Sequence, residues 1–110
     1  MDNIKDDQYY SDKMIRDVSF IRRHMQGLTY DVFIEDEILQ DSMMFRLIQI
    51  SENAKKLTDA FRAGKPEVPW SDVYGLRNKI VHEYGGLDLK IVYDTLSNDI
   101  PALLRSLSAS

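Results

Sequence analysis

The sequence predicts an all-α fold, and three observations carry that prediction. Helix-favouring residues dominate, and apolar residues recur at three- and four-residue steps over several windows. No stretch alternates polar and apolar residues as a half-buried strand would. Glycine and proline fall at a few discrete points that divide the chain, with no internal repeat and no low-complexity tract.

The first helix is expected from about Tyr9 to Gln26, where Met14, Val18, Ile21, Met25 and Leu28 make one apolar stripe. Gly27 suits its C-terminal cap, because it adopts a left-handed conformation at little steric cost. Thr29 then reads as the N-cap of a short turn carrying Val32, Phe33 and Ile34. A second, long helix is expected from about Asp36 to Ala63, ended by Gly64 with Pro66 just beyond. Its stripe is Leu39, Met43, Leu47, Ile50, Ala54, Leu57 and Phe61, widened by Met44 and Ile48. Phe45 falls on the opposite, polar side with Glu52 and Lys56, and reads as a lone exposed aromatic or as a self-association surface.

Lys65 to Trp70 holds two prolines and reads as a loop. Ser71 suits an N-cap, with Asp72 in the first turn of a helix that runs to Tyr84 and stops at Gly85-Gly86. Asp88 caps a final helix through about Leu107. Pro101 lies inside it, removing one backbone hydrogen bond and predicting a kink.

At 110 residues the chain is expected to form one domain, 1–110, with a single core. A hydrophobic fraction of 44% beside a charged fraction of 29% is ordinary for a soluble globular protein. The absence of cysteine excludes disulfides and thiolate metal sites, and two histidines, His24 and His82, argue against a His-rich zinc site. No metal and no cofactor are expected. No apolar run approaches the roughly 20 residues that span a bilayer. The segment Met1 to Asp7 is polar and acidic, unlike a secretory leader, so the expected location is cytoplasmic. With 14 Lys+Arg against 18 Asp+Glu the net charge is −4, which disfavours coating nucleic acid by bulk electrostatics and leaves only local, site-based contacts.

One helix is anomalous. At about 100° per residue, Val73, Leu76, Ile80 and Tyr84 cluster on one side of the Asp72–Tyr84 segment with Val81 at the edge, and Arg77 falls among them. A guanidinium inside an apolar stripe is unfavourable unless it snorkels or pairs, for instance with Glu52. The other reading is a positive charge kept in a cleft to hold an anion. His82 lies about 140° around from Arg77 and close to Asn78. It is either a solvated residue or a general acid–base. His24, beside Arg22 and Arg23, reads as solvated, and Tyr84 by itself as a core phenol. Arg77 and His82 do not point at one spot on an ideal helix. Either the helix loosens near His82, or two copies of the chain complete the site across a dimer interface. The dimer is preferred, since Met43, Met44 and Phe45 suit helix-to-helix association.

The string Arg77-Asn78-Lys79-Ile80-Val81-His82-Glu83-Tyr84 resembles the R-N-x-x-x-H-x-Y form of the HEPN motif. The surrounding pattern resembles the HepT-like toxins over nearly the whole chain. It includes Phe33, Gln40-Asp41, Ile50-Ser51-Glu52-Asn53-Ala54, Pro69-Trp70, Gly75-Leu76 and Asp99-Ile100-Pro101. The chain departs at Ser51, where members often carry Gly, and at Asn53, where they often carry Ala. The resemblance implies an HEPN-type antiparallel bundle of four to five helices, homodimeric, that cleaves RNA and spares DNA without a metal ion. Arg77 and His82 would be the catalytic pair, with Asn78 supporting them. It also implies a toxin–antitoxin partner, an MNT-type nucleotidyltransferase that neutralises the toxin by transferring AMP to Tyr84. HEPN domains also serve as non-catalytic interaction modules that dock a nucleotidyltransferase or bind nucleotide, and that is the alternative reading. A purely structural helical dimer fits least well with a charge in the apolar face.

Overall fold

The structure, a computed structural model, describes residues 6–109, with the side chain of Tyr84 outside that description. The reading of the polar N-terminus therefore falls largely outside the described residues, on Met1 to Lys5. The helices are α1 (Asp7–Met25), α2 (Tyr30–Ile34), α3 (Glu37–Ala54), α4 (Asp59–Ala63), α5 (Trp70–Glu83), α6 (Leu89–Asp94) and α7 (Ile100–Ser108). They form the all-α bundle that the apolar spacing and the family resemblance together lead us to expect. Among the described residues there is no strand, and no helix is long and apolar enough to cross a membrane.

α1 starts where the Asp6 carboxylate accepts the Tyr9 N–H, and it turns away at Gly27, whose φ of 74° lies in the left-handed region. Met14, Val18 and Ile21 are completely buried, as the three- and four-residue spacing requires. Thr29 caps α2 by accepting the Val32 N–H, which seats Phe33 in the core with no exposure. The Gln40 amide then donates to the Phe33 carbonyl at 2.9 Å and fixes the α2–α3 corner.

α3 is the central element, packed against α1 on one side and α5 on the other, while α7 covers α1. A charged pair joins α1 to α3. Asp17, only 7% exposed, accepts from Arg46 at 2.8 Å, and the Arg46 guanidinium lies 3.8 Å over the Phe20 ring. Burying a carboxylate is tolerable here because the guanidinium supplies both charge and a hydrogen bond.

Three expectations are corrected. The helix expected unbroken from Asp36 to Ala63 stops at Ala54, and a separate short helix, α4, begins after Thr58. The cause is a competing acceptor: Asp7 takes the Thr58 N–H at 2.8 Å and the Thr58 hydroxyl at 2.6 Å, so that N–H is lost to the helix ladder. Thr58 in turn caps α4 by accepting the Phe61 N–H. Second, α5 begins at Trp70, so Ser71 sits within its first turn and is not the cap. The Trp70 indole donates to the Arg62 and Lys65 carbonyls, and the Val73 N–H reaches Pro69, which brings the start forward. Third, the single final helix with a kink is α6, a π turn over Thr95–Asp99, and α7 with Pro101 in its first turn. Asp88 caps α6 as expected, accepting the Lys90 N–H. Pro101 has no N–H to give, and its ring would crowd the Ser97 carbonyl one turn back. The π turn, in which the Ile100 N–H reaches Thr95, widens the helix and relieves that crowding.

The Thr58 bonds hold the Asp7 carboxyl below its ordinary value of 3.8, through the side-chain hydroxyl first and the backbone N–H second. A depressed folded-state pKa contributes stability above the unfolded value and loses it as pH falls through the folded one. Asp7→Ala is therefore expected to lower Tm at neutral pH, with the gap from wild type narrowing as pH drops below 3.8. Thermal melts from pH 7 to pH 2 check it, and a gap constant with pH would contradict the assignment.

Candidate functional site

The site is built on the contact between α3 and α5. Ser51, fully buried near the C-terminal end of α3, donates its hydroxyl to the Tyr74 carbonyl at 3.0 Å. The same oxygen accepts the Arg77 N–H at 3.3 Å. A side chain this small lets the two helices approach closely, and its two-sided hydrogen bonding sets their relative register. Glu52, the next residue on α3, then faces Arg77: Nε lies 3.2 Å from Oε1. Arg77 also donates from Nη1 to the Asn78 amide oxygen at 3.2 Å.

Pairing of Arg77 with Glu52 was one of the two readings open from the sequence, and the geometry shows that the pair stays accessible. The side chains are 40% and 44% exposed. At that exposure the ion pair is worth at most about 1 kcal/mol, so an incoming anion can displace the carboxylate. Val73 and Ile80 are buried as the wheel predicts and Leu76 is half-buried, but Val81, placed at the edge of the stripe, is 47% exposed.

His82 is exposed on the last turn of α5, and no described residue hydrogen-bonds to its ring. Of the two ways to reconcile Arg77 with His82, loosening of the helix is not observed. The α-helix persists through Glu83, and the 3-10 turn starts only at Tyr84. Within one chain the two side chains therefore leave the helix about 140° apart. Asn78 lies between them, bonded to Arg77 and one turn before His82. The backbone of Tyr84 opens the 3-10 turn, while its side chain lies outside the described residues.

Exposed apolar side chains lie along the same two helices. Ile38 and Phe45, two helical turns apart on the outer side of α3, are 81% and 54% exposed, and Val81 follows Arg77 by one turn. A groove of about 450 Å³ lies on the other flank of α5, between it and α7, lined by Val68, Val73, Leu76, Lys79, Ile100 and Leu103 among others. Neither Arg77 nor His82 reaches it. Sequence reasoning missed the part played by Ser51. The available signal was a small hydroxyl residue between Ile50 and Ala54, inside the apolar part of the helix.

The family model described as "Ribonuclease HepT-like" matches residues 14–109. A protein of Caldanaerobacter subterraneus subsp. tengcongensis, provisionally named an RNase, is 30% identical over 94 residues, covering 86% of this chain and 84% of that one. A protein of Thermococcus cleftensis, provisionally named ribonuclease HepT, is 27% identical over 94 residues, covering 86% of each. A provisionally named RNase of Methanocaldococcus jannaschii is 34% identical over 74 residues, covering 67% of this chain and 61% of its own. No solved structure matches the chain.

Ser51→Leu is expected to force α5 off α3 and to destabilise the protein by about 1–3 kcal/mol, as overpacking of a filled contact does. Chemical denaturation measures this, and an unchanged midpoint would show that the α3–α5 contact is not closely packed.

Proposed function

The chain belongs to the HepT-like ribonuclease family, and we propose that it is an endoribonuclease toxin whose cleavage site is completed by two copies of the chain. The observation that supports this most directly is the disposition of Arg77 and His82. Both are accessible, on one straight helix, and pointed apart. A second copy docked on the exposed Ile38, Phe45 and Val81 would bury apolar surface and set the Arg77 of each chain against the His82 of the other.

In this mechanism the scissile phosphate of RNA displaces Glu52 from Arg77. The 2′-oxygen attacks phosphorus as His82 accepts its proton. The bond to the 5′-oxygen breaks as the proton taken by His82 is passed to it, leaving a 2′,3′-cyclic phosphate and a 5′-hydroxyl. Arg77 neutralises the charge that builds on the phosphorane, where a positioned guanidinium is most effective. Asn78 holds the guanidinium in place. The internal 2′-hydroxyl is the nucleophile, so the reaction requires no metal ion and DNA is spared.

Regulation follows from the same helix. A nucleotidyltransferase antitoxin of the MNT type transfers AMP from ATP to Tyr84. The phenolic oxygen bonds to the α-phosphorus, pyrophosphate leaves and the phenol proton is released. The added anion sits two turns beyond Arg77 and competes for the place of the RNA phosphate. The alternative is a non-catalytic HEPN module that docks a nucleotidyltransferase or binds nucleotide. The Glu52 and Asn78 bonds to Arg77 favour it, since they equally suit a structural arginine.

Purified protein is expected to cleave single-stranded RNA and leave the matching DNA intact, and His82→Ala or Arg77→Ala is expected to lower the rate by about a hundredfold or more. Mixing the Arg77→Ala and His82→Ala chains should restore activity, because a mixed dimer holds one complete site. Failure of the mixture, with each variant folded and dimeric, would place the site within one chain. Loss of neither rate would support the module reading. Incubation with the nucleotidyltransferase and ATP should add AMP mass to the peptide containing Tyr84, and a modification found elsewhere would remove Tyr84 from the scheme.

A further inference from the structure

α1 carries a charge pattern opposite to that of the whole chain. From Lys13 to His24 there are four cations, Lys13, Arg16, Arg22 and Arg23, against one carboxylate, Asp17. That is an excess of three positive charges within a net −4, so the remainder carries an excess of seven negative charges. Asp17 itself is buried and already neutralised by Arg46 from α3. Arg16, Arg22, Arg23 and His24 are exposed, and Lys13 is half-buried.

Their arrangement is also ordered. At about 100° per residue, Tyr9, Lys13, Arg16, Phe20 and Arg23 fall within an arc of some 80°, a stripe of two rings and three cations roughly 21 Å long. Rings and cations are in contact within it. Lys13 Nζ lies 5.7 Å from the Tyr9 ring centre, and the Arg23 guanidinium lies 5.7 Å from that of Phe20. Arg46 stacks on Phe20 at 3.8 Å, and His24 packs against the same ring with centroids 4.3 Å apart. Asp12 borders the stripe at its N-terminal end, where the Gln8 amide engages it. The stripe and the candidate site flank the same helix, α3. α3 lies between α1 and α5, and Arg46 precedes Glu52 by six residues, about 9 Å of helix rise. Two helix spacings, about 20 Å, separate α1 from the helix that bears Arg77.

We propose that this face of α1 is a docking surface for single-stranded RNA, distinct from the cleavage motif, that holds the strand on one side of the scissile phosphate. Lys13, Arg16 and Arg23 contact phosphates, while bases stack on Tyr9 and on the planar Arg23 and His24 groups. Rings interspersed with cations suit a nucleic acid strand, which offers both phosphates and flat bases. An acidic protein partner would need only the charges. The surface reconciles an acidic chain with a polyanionic substrate, because a single positive stripe on a negative body also orients the strand. The inference rests on the proposal that the chain acts on RNA.

The test measures binding of a fluorescein-labelled single-stranded RNA by anisotropy, using full-length His82→Ala protein so that the probe stays intact. Arg16→Glu/Arg23→Glu in that background is expected to weaken binding by about tenfold or more and to reduce the slope of log Kd against log salt by about one. In otherwise wild-type protein the same pair should raise KM for a long RNA yet leave the cleavage rate of a dinucleotide, too short to reach α1, unchanged. Arg16→Gln/Arg23→Gln serves if charge reversal impairs folding, and the same directions are expected. Wild-type affinity and KM in a folded variant overturn the docking surface while leaving the ribonuclease reading intact. So does loss of dinucleotide cleavage, or a stripe that captures an acidic protein with RNA binding unaffected. Absence of RNA binding and cleavage by the wild-type chain overturns both.

Discussion

The Ser51 hydroxyl is the contact on which the arrangement of the candidate site depends. It occupies the interface of α3 and α5 with no solvent exposure and bonds to two backbone groups of α5 at once. A methyl group in its place would fill similar space but leave the register of the helices to side-chain packing alone. With the register set, Glu52 meets Arg77 and the guanidinium stays near the surface. A larger residue would separate the helices, and the ion pair would be lost with the contact that positions it.

Arg77 and Asp17–Arg46 show how the same chemistry serves different ends at different depths. Asp17 is nearly buried, so its pairing with Arg46 is a condition of folding: an unpaired carboxylate there would be strongly unfavourable. Glu52 and Arg77 are both over a third exposed, so their pairing contributes little and yields readily to a competing anion. The Asp17–Arg46 pair on the α1 side of α3 has its carboxylate buried, whereas the Glu52–Arg77 pair on the α5 side leaves both charges open to a ligand.

Much of this was legible along the chain. Met14, Val18 and Ile21 are fully buried, as their spacing required, and Gly27, Thr29 and Asp88 end or begin helices where their backbone chemistry indicated. The motif from Arg77 to Tyr84 could be read as one string, and it left the pairing of Arg77 with Glu52 as one of two open readings. The breaks at Lys55–Thr58 and Thr95–Asp99 were not read correctly, because Thr58 and Pro101 are local signals that do not fix the outcome by themselves. The first comes from Asp7, some fifty residues away, which withdraws the Thr58 N–H from the helix. The second is a choice between a kink and a wider turn, which the packing around Pro101 makes.

The sequence by itself determined the helical class, the faces that are buried and the family to which the chain belongs, since these follow from periodicity and from a motif that is contiguous. Only the tertiary structure decided that Arg77 stays accessible, that α5 remains straight through His82, and that the cations of α1 share a surface with Phe20 and Arg46. The reason is physical. Periodicity reports which side of a helix avoids water, whereas accessibility and shared surfaces depend on how closely a second helix approaches, and here that distance is set by one buried serine.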